Sequence, residues 1–217
     1  PIYLGWGRSM ATIKNKPIKI GVADEVDEPG FDAGSRETGV LEMFDKRFTT
    51  HRSAYKFIKI STPTLETGNI WVALESSQFI FDFNVRCPLC DTLQLMQFYR
   101  GKDEAGEKHP GRIGWEGGLD ADPKDIKFNK KAWYVCQHCQ GHWDDHVRNK
   151  AVRLGTWIDR EHGLTLDTCL EKFRPAVLGF HIPSWISYFV SLGEIAAAYI
   201  QAQGNKLKLQ EFLNQYC

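Results

Sequence analysis

The chain has 217 residues, 42% of them hydrophobic and 12% aromatic, which is enough for one large core or a core with a smaller module and too apolar for a disordered segment. Its 27 Lys+Arg balance 27 Asp+Glu, so no net field draws the whole molecule to nucleic acid or anionic lipid, and any polyanion site must be local. No run approaches the ~20 apolar residues of a membrane span and no secretory pattern opens the sequence. It begins with Pro1 rather than Met and ends at Cys217 just past an amphipathic pattern, so an excerpt of a longer polypeptide is expected.

Taken in order, residues 18–23 (IKIGVA) predict a strand that stops at the acidic run Asp24-Glu25-Val26-Asp27-Glu28. Val40, Leu41, Phe44 and Phe48 recur at helical steps and predict a helix over 35–48. Residues 55–60 (YKFIKI) predict a second strand, ending in Ser61-Thr62-Pro63-Thr64. Strand, acidic turn, helix, strand and polar turn make an α/β layer on a parallel sheet. In such sheets ligands bind beyond the carboxyl ends of the strands, where both turns fall. An Asp at the end of a hydrophobic strand suits Mg²⁺, and an adjacent Glu suits the base that orients and deprotonates an attacking water. Asp24 and Glu25 stand in that order, while Ser61, Thr62 and Thr64 offer hydroxyls one strand away. The plainer alternative is a solvated acidic turn.

Six cysteines follow, four of them as Cys87-Pro-Leu-Cys90 and Cys136-Gln-His-Cys139. Two residues between thiolates let one tight turn offer both sulfurs to one ion, and two such knuckles complete a closed, tetrahedral, structural zinc site. Disulfides do not suit an unsecreted chain, and a redox pair needs a single Cys-x-x-Cys opening a helix. Residues 91–135, 45 in all, separate the knuckles, more than is usual. Residues 100–131 read as an inserted excursion, mostly loop, around a strand near 113–115. His109, His138 and His142 are spare ligand candidates. Lys124, Lys127, Lys130 and Lys131, and then Arg148, Lys150 and Arg153, flank the second knuckle, so Lys130, Lys131, Arg148 and Lys150 are candidate phosphate contacts. Asp120, Asp122, Asp125, Asp144 and Asp145 dilute that field, and a solvated surface is the rival reading. Residues 180–189 (FHIPSWISYF) lack interleaved cations and read as buried packing rather than a DNA track. Ser191-x-x-Glu194 opens a helix over 191–203 with Ile195, Ala196, Tyr199 and Ile200 as its apolar stripe, and a second helix spans 207–216. Cys169 and Cys217 have no partner at ligand spacing.

In this order the sequence resembles the large subunit of a tailed-phage DNA packaging terminase of the GpA (lambda-like) type. The resemblance runs through Asp24-Glu25-Val26-Asp27, Arg47, Ser61-Thr62-Pro63-Thr64, Cys87–Cys90, Trp115, Cys136–Cys139 and Gly155-Thr156-Trp157, then Phe180-His181-Ile182-Pro183 and residues 207–214. It implies a partial P-loop NTPase (RecA/ASCE-like) parallel sheet over 1–82, a zinc-ribbon-like module with a long insertion over 83–157, and helices over 158–217. It further implies Asp24 as the Mg²⁺ ligand, Glu25 as the catalytic base, and Ser61, Thr62 and Thr64 as a coupling motif. Arg47 matches a family position, as either a phosphate sensor or a helix-end cation, with Arg52 as its neighbour. The implied cofactors are structural Zn²⁺, ATP and Mg²⁺. The implied partners are double-stranded DNA, a small terminase subunit and the portal protein, in an oligomer on the capsid within the host cytoplasm. No Gly-x-x-x-x-Gly-Lys-Ser/Thr occurs in the 217 residues, and the family's nuclease domain is expected beyond Cys217, so these residues alone are expected to be inactive. Two rivals are a helicase-like ATPase fragment and a non-enzymatic zinc-ribbon module that binds DNA or a partner.

Overall fold

The computed structural model describes residues 2–5, 12, 16–28, 39–98 and 112–217, which divide into two units, residues 1–75 and 76–217. In the first unit, β1 (Ile20–Asp24) and β2 (Lys56–Ile60) pair in parallel, with Ile20 opposite Lys56 and Asp24 opposite Ile60. The crossover between them contains α1 (Val40–Asp45), which tightens into a 3-10 turn over Lys46–His51. The small residues Gly21 and Ala23 face this crossover and leave room for Phe48, which is buried against Phe44, Tyr55 and Phe57 at ring separations of 5.1 to 5.6 Å. The other sheet face presents Ile20, Val22, Ile58 and Ile60, all exposed. A further helix, α2 (Asn69–Glu75), closes the unit.

The helix predicted over 35–48 is therefore shorter where it is described, and residues 29–38 lie outside the described residues. The Thr49 hydroxyl donates to the Lys46 carbonyl at 2.7 Å, a local bond that competes with continued α-helix.

The second unit runs β3 (Phe79–Arg86), β4 (Leu93–Leu95), β5 (Arg112–Trp115), α3 (Pro123–Phe128), β6 (Ala132–Val135), β7 (His142–Trp143), α4 (Asp145–Arg153), β8 (Thr156–Asp159), α5 (Leu166–Phe173), β9 (Leu178–His181), α6 (Leu192–Ala202) and α7 (Lys206–Tyr216). Strand β3 is central to a four-stranded mixed sheet, antiparallel to β4 and β8 and parallel to β9. Strands β5, β6 and β7 form a separate antiparallel sheet. One core joins Val85 and Met96 to Ile113, Tyr134 and Trp143, and then to Leu192 and Ile195 of α6. The helices are capped by side chains, as Asp144 on Val147 N (2.8 Å) and Ser191 on Glu194 N (3.0 Å) illustrate.

Among the described residues the protein is thus mixed α/β, with a two-stranded parallel sheet and two sheets that contain antiparallel strands, one of which also holds the parallel β3–β9 pair. The expected boundaries at 82/83 and 157/158 fall inside β3 and β8, and the strand that leads into the first knuckle also pairs with β8 and β9. The excursion holds more structure than expected, since Asp122 accepts from Lys124 N and Pro123 occupies the first turn of α3. In 180–189 the buried reading holds for Pro183, Trp185 and Ile186, whereas Phe180, Ile182, Tyr188 and Phe189 are exposed. The reason is that the segment is a strand end followed by a 3-10 turn, which cannot turn every apolar side chain inward.

Candidate nucleotide and metal sites

Parallel pairing brings the carboxyl ends of β1 and β2 side by side, so the turn after Asp24 meets the turn after Ile60. Val26 is fully buried beneath this end, and its N–H donates to the Ile60 carbonyl at 3.3 Å. Glu25 takes a left-handed conformation (φ 54°), and its N–H donates to Asp24 Oδ1 at 3.1 Å. A charged residue held in that region marks an over-determined backbone. Both side chains are exposed above the strand ends. The Asp27 N–H donates to Ser61 Oγ (3.2 Å), and the Asp27 carboxylate accepts from Thr64 N (3.2 Å), Thr64 Oγ1 (3.3 Å) and Ile70 N (2.8 Å). Thr62 is exposed beside them. Asp24, Glu25, Ser61, Thr62 and Thr64 therefore share one end of the sheet, and their hard oxygen donors suit a hydrated Mg²⁺ and phosphate oxygens.

Arg47 does not join them. Its carbonyl accepts from Ile18 N at 3.0 Å, at the amino end of β1. Ile18 lies just before β1, whose extended course carries the chain on to Asp24 over about 20 Å, beyond the reach of an arginine side chain. The 3-10 turn that carries Arg47 leads back into β2 at its amino end, and Arg52 belongs to the same end.

In the second unit, Cys87, Cys90, Cys136 and Cys139 bring their four sulfurs within 4.8 Å of one another. The two knuckles follow β3 and β6 and repeat the same turn. Asp91 and Gln140, each just after a second cysteine, are left-handed (φ 60° and 57°), and each turn closes on a first-cysteine N–H, Cys87 to Thr92 O and Cys136 to Gly141 O, both at 3.0 Å. Backbone N–H groups of Leu89 and His138 donate to Cys87 Sγ (3.3 Å) and Cys136 Sγ (3.4 Å), as thiolates holding a cation require. Burial pushes the Cys87 thiol up to about 12, while the Thr92 hydroxyl draws Cys90 down to about 6.

Gln94, buried in β4, was not singled out by sequence. Its Nε2 donates to Cys136 Sγ (3.3 Å) and its Oε1 accepts from Gln137 N (2.9 Å), so one side chain from the first ribbon holds the second knuckle. The sequence shows only a glutamine between Leu93 and Leu95, four residues past Cys90, and its burial is evident only in the structure. No histidine joins the cluster among the described residues: His138 and His142 are exposed, His142 stacks on Trp133, and His109 lies outside the described residues.

A profile of the phage terminase large subunit gpA, ATPase domain, matches residues 2–157. The chain belongs to this family. No curated protein and no solved structure matches it. The match spans the acidic turn, residues 61–64 and both knuckles of this terminase-family chain, and thus an ATPase-domain family with a four-cysteine cluster able to hold a metal ion. Among the described residues, no helix is long and apolar enough to cross a membrane.

The candidate phosphate contacts separate on inspection of their surroundings. Arg148 is 1% exposed; its guanidinium donates to the carbonyls of Trp185 (2.7 Å) and Val190 (2.9 Å) and to Asp145 Oδ1 (3.0 Å). It staples α4 to the loop before α6 and cannot meet a phosphate. Lys131 is held by Asp125 at 2.9 Å and Glu116 at 3.3 Å, which raise its affinity for the proton and consume its charge. Lys130 and Lys150 remain exposed. Lys150 and Arg153 line a shallow cleft of about 610 Å³ against Pro88, Leu89 and the first knuckle.

Proposed function

We propose that this terminase-family chain is part of the ATP-driven motor that moves double-stranded DNA into a procapsid, in concert with a small subunit, the portal and a nuclease domain. The observation that carries this reading is the convergence of Asp24, Glu25 and residues 61–64 at the carboxyl ends of two parallel strands, the position where P-loop-like sheets bind nucleotide. Asp24 holds Mg²⁺, Glu25 accepts the proton of the attacking water, and Ser61, Thr62 and Thr64 sense the phosphates. ATP with Mg²⁺ supplies the bond whose hydrolysis drives the motor. The first unit is then part of a RecA-like core and the second carries a zinc-ribbon-like module in an oligomer that works in the host cytoplasm.

Zinc is the metal that best suits the cysteine cluster. Four soft thiolates disfavour Mg²⁺ or Ca²⁺, and metal–sulfur bonds of about 2.3 Å put tetrahedral sulfurs about 3.8 Å apart. The Cys87–Cys139 and Cys90–Cys136 sulfur pairs are each separated by 3.9 Å. Lys130 and Lys150 are the DNA-facing cations of this module.

The decisive experiment is Glu25→Gln in the complete large subunit. Nucleotide binding is expected to persist while hydrolysis falls by about 10²-fold or more. Undiminished turnover would leave the acidic turn incidental and favour a binding module.

A further inference from the structure

We propose that Asp27 is a positioning residue that transmits displacement of the acidic turn to residues 61–64 and to α2. The inference rests on the assignment of Ser61, Thr62 and Thr64 as coupling residues. The two carboxylate oxygens of Asp27 serve different elements. Oδ1 accepts from Ile70 N at 2.8 Å, in the first turn of α2, whereas Oδ2 accepts from both Thr64 N (3.2 Å) and Thr64 Oγ1 (3.3 Å). The Asp27 N–H donates back to Ser61 Oγ at 3.2 Å, and Asn69 Nδ2 donates to the neighbouring Val26 carbonyl at 2.9 Å. Gly68 leaves room for this arrangement, since a Cβ there would lie 2.4 Å from Asp27 Oδ2 and 3.0 Å from the Leu65 carbonyl.

The acids of the turn thus divide their work. Asp24 and Glu25 stand exposed at the strand end, while Asp27, two residues on, is committed through charge-assisted hydrogen bonds to the loop after β2 and the helix after it. A shift of the 24–27 backbone moves Thr64 and the start of α2 as one hydrogen-bonded body. Loss of the Asp27 link leaves the reacting groups in place and removes that transmission.

Asp27→Asn separates these roles. The amide oxygen still accepts from Ile70 N, but the amide nitrogen is a donor only and cannot accept from the Thr64 backbone N–H, so the backbone half of the Thr64 link is lost and only the hydroxyl, turned into an acceptor, can keep a contact. In the complete terminase, ATP turnover is expected to stay within about threefold of wild type while DNA packaged per ATP falls about tenfold or more. Thr64→Val, which removes the hydroxyl contact and leaves the bond from the Thr64 backbone N–H, is expected to do less than Asp27→Asn. In the 217-residue chain, amide hydrogen exchange is expected to speed up at Thr64 and remain slow at Ile70. Wild-type packaging per ATP in Asp27→Asn would overturn the proposal. So would loss of turnover as complete as in Glu25→Gln, which would make Asp27 catalytic, or loss of protection at Ile70 as well, which would make it a fold residue. Undiminished turnover in Glu25→Gln defeats the ATPase reading by itself, whatever Asp27→Asn does.

Discussion

Asp82 is 8% exposed in the centre of β3, yet its carboxyl is held below the usual carboxylate range. Burial alone would raise it, but hydrogen bonds from His181 and Arg160 outweigh that; Arg160 makes two, both 2.9 Å. Because the folded value lies below the unfolded one, the contribution to stability is complete above about pH 4 and is lost as pH falls further. The melting temperature is expected to fall as pH drops below about 4, and Asp82→Asn, which weakens the paired hydrogen bonds from Arg160, to cost about 1–3 kcal/mol at pH 7 and to flatten that acid limb. Arg160 is half exposed, so solvent screening keeps the effect at the lower end. Reversing charge at Lys130 and Lys150 together is expected to weaken binding to a random-sequence duplex and to lower the salt slope by about 2. An unchanged slope would remove the module from the DNA path. At this scale the sequence was legible where chemistry fixes spacing, as for the four cysteines, and misleading where a cation looked like a surface residue. Arg148 shares a helix stripe with Ala151 and Val152, three and four residues on, and that spacing places it among buried neighbours.

Among the elements, α6 and α7 were legible because in each an apolar stripe agrees with a capping side chain, Ser191 for α6 and Asn205 for α7. The short helix α3 was not, since six residues give too little periodicity, although Asp122-Pro123 is a cap followed by a first-turn proline. Its packing is close: a Cβ on Gly193 of α6 would lie 2.9 Å from the Ile126 carbonyl. Gly193→Ala is expected to push α6 off α3 and destabilise the second unit by about 1–3 kcal/mol in chemical denaturation, despite alanine's better helix propensity. A neutral or stabilising result would mean the helices part without strain. The parallel pair was readable from IKIGVA and YKFIKI, but which face would be covered was not, because each face of β2 mixes apolar residues with a lysine, Lys56 beside Ile58 and Ile60 and Lys59 beside Phe57. Packing against Phe48 chose the small residues, leaving Ile20, Val22, Ile58 and Ile60 exposed.

For the whole molecule, the order of motifs carried the family, whereas the division into units did not follow from it. Pairing of β3 with β8 and β9 depends on contacts about 75 to 100 residues apart, which local patterns do not encode. Elemental analysis of the purified chain is expected to give about one zinc per molecule, and strong chelation to destabilise residues 76–217, because metal binding and folding are linked. Hydrogen exchange should lose protection at β4 and β6 and keep it at β1 and β2. Absence of zinc from protein prepared under reducing, metal-replete conditions would defeat the assignment.

The two knuckles grow from strands of different sheets, β3 from one and β6 from the other. A metal between them is a rivet joining two plates. Pulling the sheets apart would load short metal–sulfur bonds together with the Gln94 side chain before the looser apolar contacts around them could slide. The force needed to separate the sheets should therefore depend on metal occupancy, making this module a stiff strut when loaded and a compliant one when stripped.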